Sequence, residues 1–181
     1  MDPSTWTVIR DYSYEGGFFG FVRGVGPQQV IDAAGGSGRE IFRTTGDEAT
    51  QMDADLYGRG LTLLRAGAVG EWTLFMNALS ANLSSRSFFS EISRDGDALG
   101  FYWDSMEWFT YARNGSVEIH CDPLFGMPES GSDSALARKL RRAVPDRSTL
   151  AEFFVVCEEH FGISIGPEEI AAPMISVCLD V

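Results

Sequence analysis

A chain of 181 residues with 44% hydrophobic and 22% charged side chains has the makeup of a folded, soluble protein. Its 13 Phe, 4 Trp and 5 Tyr supply too much apolar surface for a disordered chain. The net charge of -12 has the wrong sign for gripping nucleic-acid phosphates or an anionic membrane, so the expected partner is a protein, one with a basic surface.

In chain order, residues 5–10 and 17–23 are rich in β-branched and aromatic side chains and read as strands. Phe18, Phe19, Phe21 and Val22 are nearly continuous, which predicts a strand buried on both faces. Gly24-Val25-Gly26 breaks that strand, Pro27 opens a helix, and the glycines at 35, 36 and 38 end it. Residues 44–58 are polar and acidic and read as a loop or a short weak helix. Residues 61–65 and 71–77 read as a hairpin, and residues 79–85 as a helical turn. A meander of four strands is predicted next: 87–94, 97–104, 107–113 and 116–122. Its turns are Asp95-Gly96 and Asn114-Gly115. Residues 127–133 form a Pro/Gly/Ser-rich connection. Helices follow at 134–144, stopped by Pro145, and from the Thr149-x-x-Glu152 capping box to Gly162. A short helix from Pro167 and a strand at 175–179 close the chain. The predicted architecture is a single α+β domain over 1–181: a mostly antiparallel, aromatic-rich sheet with helices packed on one side.

No nucleophile elbow, zinc-protease helix or Cys-x-x-Cys appears. Gly24-Val25-Gly26 lacks the further Gly of a dinucleotide loop, and the only lysine, Lys139, stands far from any phosphate-loop position. Glu118, His120 and Asp122 alternate along one strand, which would place two carboxylates and an imidazole on one face as a weak metal site. Cys157 and His160 are helical neighbours, but Cys157 falls on the apolar stripe of Leu150, Phe153 and Phe154. No cofactor is expected. In the meander, alternation sets Leu99, Phe101 and Trp103 against Tyr102 and Asp104, and Trp108 against Phe109 and Tyr111. Any of the large aromatics left outside would sit beside Asp104 and Glu107. The candidate protein-binding group is therefore Tyr102, Trp103, Asp104, Glu107 and Trp108.

Three widely spaced cysteines, Cys121, Cys157 and Cys178, make no disulfide framework. No signal-peptide pattern and no apolar run long enough to span a bilayer is visible, so the expected compartment is the cytoplasm.

The stretch from Phe19 through Gly20, Phe21, Val22, Arg23 and Gly24 to Pro27 and Val30 resembles a mainly actinobacterial family of unknown function, number 6461. So do Glu71-Trp72-Thr73-Leu74, the run from Trp108 to Gly115, and Cys121-Asp122-Pro123-Leu124 with Gly131-Ser132-Asp133. Gly26 stands where a hydroxyl cap is usual, and the acid found near Asn77 in many members is missing. The resemblance implies a bacterial, single-domain protein and supplies no reaction and no catalytic residue. The function expected from all this is a non-enzymatic, acidic protein-binding module. An immunity or accessory protein of a bacterial conflict or regulatory system is one form of it. The alternative is a small-molecule-binding or metal-dependent enzymatic domain with its pocket between sheet and helices.

Overall fold

The computed structural model describes residues 16–77, 81–126, 134–144 and 148–180. Eight strands form one sheet: β1 (Gly17–Arg23), β2 (Phe42–Thr44), β3 (Leu61–Val69), β4 (Trp72–Asn77), β5 (Asp97–Trp103), β6 (Glu107–Arg113), β7 (Ser116–Cys121) and β8 (Met174–Asp180). Their order is β2-β8-β3-β4-β1-β5-β6-β7, and every pairing is antiparallel. The helices are α1 (Pro27–Ile31), which continues into a π-helical turn at Asp32–Gly36, then α2 (Gly46–Tyr57), α3 (Arg86–Ile92), α4 (Ala135–Ala143), α5 (Leu150–Phe161) and α6 (Pro167–Ala171). The α+β class and the antiparallel, aromatic-rich sheet are as the sequence predicts. The predicted strand at 5–10, the connection at 127–133 and Pro145 lie outside the described residues.

Helices cover both faces of the sheet, where the sequence led us to expect one. The cause is visible in β1. Phe19 and Phe21 point into a core shared with Phe153, Phe154 and Cys157 of α5 and Leu136 and Leu140 of α4. Phe18 and Val22 point the other way, into a second core with Val30 and Ile31 of α1 and Phe88, Phe89 and Ile92 of α3. A strand apolar on both sides needs a cover on both, because each large side chain removed from water contributes about 1.5–3 kcal/mol. We call these the α5 face and the α3 face. On the α5 face Phe19 stacks on Phe101 at 4.9 Å and meets Phe154 edge-on at 5.5 Å.

Two helices occupy stretches where the sequence suggested otherwise. Residues 44–58 hold α2, a full 12-residue helix. Its capping box is Thr45 and Glu48: the Thr45 N–H donates to Glu48 Oε2 at 2.8 Å, and the Glu48 N–H donates to Thr45 Oγ1 at 3.3 Å. Ala49, Met52 and Leu56, at helical spacing, pack on Leu63. Residues 87–94, expected as a strand, lie instead in α3 and the turn behind it. Ser85 caps α3 by accepting the Phe88 N–H at 3.3 Å. Asp95-Gly96 is accordingly a helix-to-strand turn, while Asn114-Gly115, with φ of 49° and 77°, is the hairpin turn of β6 and β7.

The Phe89 ring locks α3 to the sheet. Gly20 and Gly100 are directly paired across β1 and β5. Both open a notch on the α3 face. A Cβ on Gly100 would fall inside contact distance of the Phe89 ring, and one on Gly20 would come within 2.6 Å of the Leu99 carbonyl oxygen.

Candidate functional site

The β5–β6 turn and the end of β7 lie at one end of the sheet. Tyr102 and Trp108 are directly paired across β5 and β6, on the α3 face, and both are half-buried. The Trp108 indole stacks on the His120 imidazole of β7, centroids 4.9 Å apart and planes 14° from parallel. Thr110 Oγ1 holds His120 Nδ1 at 2.9 Å. Burial, then the nearby Arg86 charge, lowers the His120 pKa and favours the neutral imidazole. The Tyr102 hydroxyl donates to Asp104 Oδ2 at 3.4 Å. Burial, then that carboxylate, pushes the phenol pKa upward.

Past β7 a 3-10 turn, Pro123–Phe125, packs beside the start of β6. Asp122 Oδ1 caps it by accepting the Leu124 N–H at 2.8 Å. Three large apolar side chains are left in solvent here: Met106 at 55% exposure, Leu124 at 55% and Phe125 at 83%. Their acidic neighbours in the chain are Asp104 and Asp122.

Of the five predicted protein-contact residues, Tyr102, Asp104 and Trp108 reach this surface and two do not. Trp103 is in the core on the α5 face, edge-on to Phe19 at 5.8 Å. Glu107 Oε2 accepts the Leu150 N–H at 3.0 Å, so its carboxylate secures the first turn of α5. Alternation separates the two sides of a strand but does not say which side the helices take. Met106, Leu124 and Phe125 were not foreseen, because an apolar residue at a turn carries no sequence mark of its exposure.

Glu118, His120 and Asp122 do not form a metal site. The register of β6 and β7 shifts between the Tyr111–Ile119 and Ala112–Val117 pairs, which leaves Glu118 as an extra residue in β7. That bulge breaks the period-two spacing on which the triad depended: Ile119 faces α5 and Val117 packs on the α3 side. Asp122 is turned to its cap, and His120 to Thr110 and Trp108. Among the described residues no group of three His, Cys, Asp or Glu side chains could hold a metal ion. Cys157 is buried, and burial pushes its thiol pKa upward, while His160 is exposed and packs edge-on against Phe161. Nothing there activates a nucleophile.

A second constellation lies between sheet and helices on the α5 face. Arg65 of β3 is 5% exposed, and its Nη2 lies 3.4, 3.3 and 3.1 Å from the carbonyl oxygens of Thr44, Ile170 and Ala172. Beside it Thr50 and Asp53 of α2, with Met76 and Asn77 of β4, line a cavity of about 40 Å³. That is room for a few water molecules, not for a metabolite. Burial raises the Asp53 pKa to about 6, against the opposing pull of the Leu63 N–H it accepts and of Arg65. A raised folded-state pKa means that the stability Asp53 allows is intact below its ordinary 3.8 and declines as pH rises through about 6. Asn at this position keeps the acceptor and loses the charge. Asp53→Asn should therefore be more stable than the parent at pH 7.5, by about 1–2 kcal/mol once solvent screening is allowed for, and equal to it at pH 3.5. Urea unfolding at the two pH values measures this, and an Asn variant no more stable at pH 7.5 would show the carboxylate to be well solvated.

The model of a family of unknown function (DUF6461) matches residues 5–146, more than half of the chain. The chain belongs to DUF6461. No curated protein and no solved structure matches it. The DUF6461 match takes in every strand from β1 to β7 and thus the whole Tyr102–Phe125 surface, as well as Asp53 and Arg65. α5, α6 and β8 follow it in the chain. Among the described residues no helix is long and apolar enough to cross a membrane.

Proposed function

We propose that the protein works by docking: it is a non-enzymatic module whose Tyr102–Phe125 end receives a partner protein with a basic surface. The observation that carries this is the exposure of Met106, Leu124 and Phe125 together at one end of the sheet. Large apolar groups left in water at one place are the mark of a surface that is covered in use. The acidic neighbours and the net charge of -12 add long-range attraction for a cationic partner, which raises the rate of encounter and sets its orientation. The biological role that suits such a surface is that of a bacterial, cytoplasmic accessory or immunity protein holding a basic effector in check.

A photo-crosslinking amino acid at position 125, introduced in the native host, tests the proposal. One partner protein with a basic surface should be captured. Its yield should fall as salt is raised, and should drop at least tenfold when Leu124→Ser is added. A folded protein that captures no partner at position 125, or captures it independently of salt and of Leu124, would overturn the proposal. So would turnover of a metabolite that depends on His120.

A further inference from the structure

The docking end contains a more specific arrangement on its α3 face. Trp108 has one indole face against His120, and among the described residues that is the only ring stacked on it. Its directly paired neighbour on the other side is Tyr102, whose hydroxyl reaches the exposed carboxylate of Asp104. The platform is held from behind, because Thr110 fixes the imidazole on which the indole rests. Burial and then the Arg86 charge favour the neutral imidazole beneath the ring, so a bound cation meets the Arg86 charge on the His120 side and the Asp104 carboxylate on the Tyr102 side. Two aromatic side chains and a carboxylate, half-open to solvent and already in place, are the elements that recognise an organic cation: the ring faces attract it through their quadrupole, and the carboxylate supplies the counter-charge.

We infer that Tyr102, Asp104 and Trp108 form a receptor for one alkylammonium or guanidinium side chain. The inference refines the docking proposal, since the cation would be a Lys or Arg of the partner received at the same end of the sheet as Phe125 and Leu124. A lone side chain held by one ring face and one exposed carboxylate binds weakly, on the order of millimolar. The receptor therefore selects a partner that the apolar patch retains.

The amides of Nα-acetyl-lysine, its Nε-trimethyl form and acetyl-arginine can be titrated into the intact 15N-labelled protein. The indole N–H resonance of Trp108, assigned with Trp108→Phe, is the readout, and acetyl-norleucine amide is the neutral control. A saturable shift with at least one cation and none with norleucine is expected. Stronger binding of arginine amide would mark a guanidinium receptor, and of the trimethyl form an alkylammonium receptor. Asp104→Asn, an exposed and isosteric change, should weaken binding about three- to tenfold, while Tyr57→Ser, at an exposed aromatic of α2 outside the docking end, should leave it unchanged. A well-dispersed spectrum with no saturable shift, a norleucine shift as large as the cations', or full binding by Asp104→Asn would overturn the inference. The titration involves no partner protein, so it fails or succeeds separately from the crosslinking experiment.

Discussion

Gly100→Ala should lower the stability of the protein by about 3 kcal/mol, although the change adds one methyl group to a strand that otherwise tolerates side chains. The reason is the notch in the middle of the sheet. Gly100 leaves the space that the Phe89 ring occupies, as its partner Gly20 leaves space for the Phe75 ring, and a Cβ on Gly100 would run into the Phe89 ring. Either the ring turns from its edge-on contacts with Phe18 and Phe88, or α3 lifts off the sheet. A double-mutant cycle separates this from a simple loss of strand propensity. In a Phe89→Ala background the ring is absent, and Gly100→Ala should then cost less than about 1 kcal/mol. Urea unfolding of the four proteins gives the comparison. Equal costs in the two backgrounds would mean that the glycine is needed for some other reason.

Arg65→Met should be at least as damaging, at about 3–5 kcal/mol. Methionine fills part of the side chain's path but donates nothing, and the buried carbonyls of Thr44 and Ile170, with the partly buried one of Ala172, then lose their shared donor. Those carbonyls belong to β2, to the end of α6 and to the segment entering β8, so one guanidinium joins three separate parts of the chain. Arg65→Lys should recover little of the loss, because the lysine ammonium stands one bond short of the position from which Nη2 meets all three oxygens. Hydrogen exchange supplies the local readout: amides of β2 and α6 should open well before those of β5 and β6. Wild-type stability in Arg65→Met would show that water satisfies these carbonyls as well as the guanidinium does.

Much of the architecture is legible in local chemistry. The apolar run of β1 signals burial on two sides, the Asn114-Gly115 pair signals the β6–β7 hairpin, and the Thr149–Glu152 box signals the start of α5. The two misread stretches each had a local cue outweighed by a stronger-looking one. Thr45 and Glu48 form as good a capping box as the one before α5, but the acidic composition around them suggested a loop. Phe88, Phe89 and Ile92 sit in a helix, but the Asp95-Gly96 pair behind them suggested a hairpin. What decides the second case lies outside the stretch itself: the space that receives Phe89 is left by Gly100 of β5.

The candidate surface was half legible for the same reason. Alternation sets Tyr102 against Trp103 and Trp108 against Phe109, but it gives neither the register that pairs Tyr102 with Trp108 nor the helices that bury Trp103. A single bulged residue, Glu118, undoes the spacing of the Glu118, His120 and Asp122 triad, and nothing short of the strand register reveals it. Arg65 carried a cue that went unused. A lone charge within the run Leu63-Leu64-Arg65-Ala66 demands buried acceptors somewhere in the fold.

The two outer margins of the sheet have a consequence for self-association. Any open antiparallel sheet offers its last strands as templates on which further copies can grow. Among the described residues one margin is β2, with only three residues to offer, and the other is β7, whose bulge sets an incoming strand out of step partway along. Both features work against growth of a ribbon of such molecules in register. The irregularity that removes the metal triad from β7 also guards the protein against filament growth, and straightening β7 by deleting Glu118 is the change that would weaken that guard.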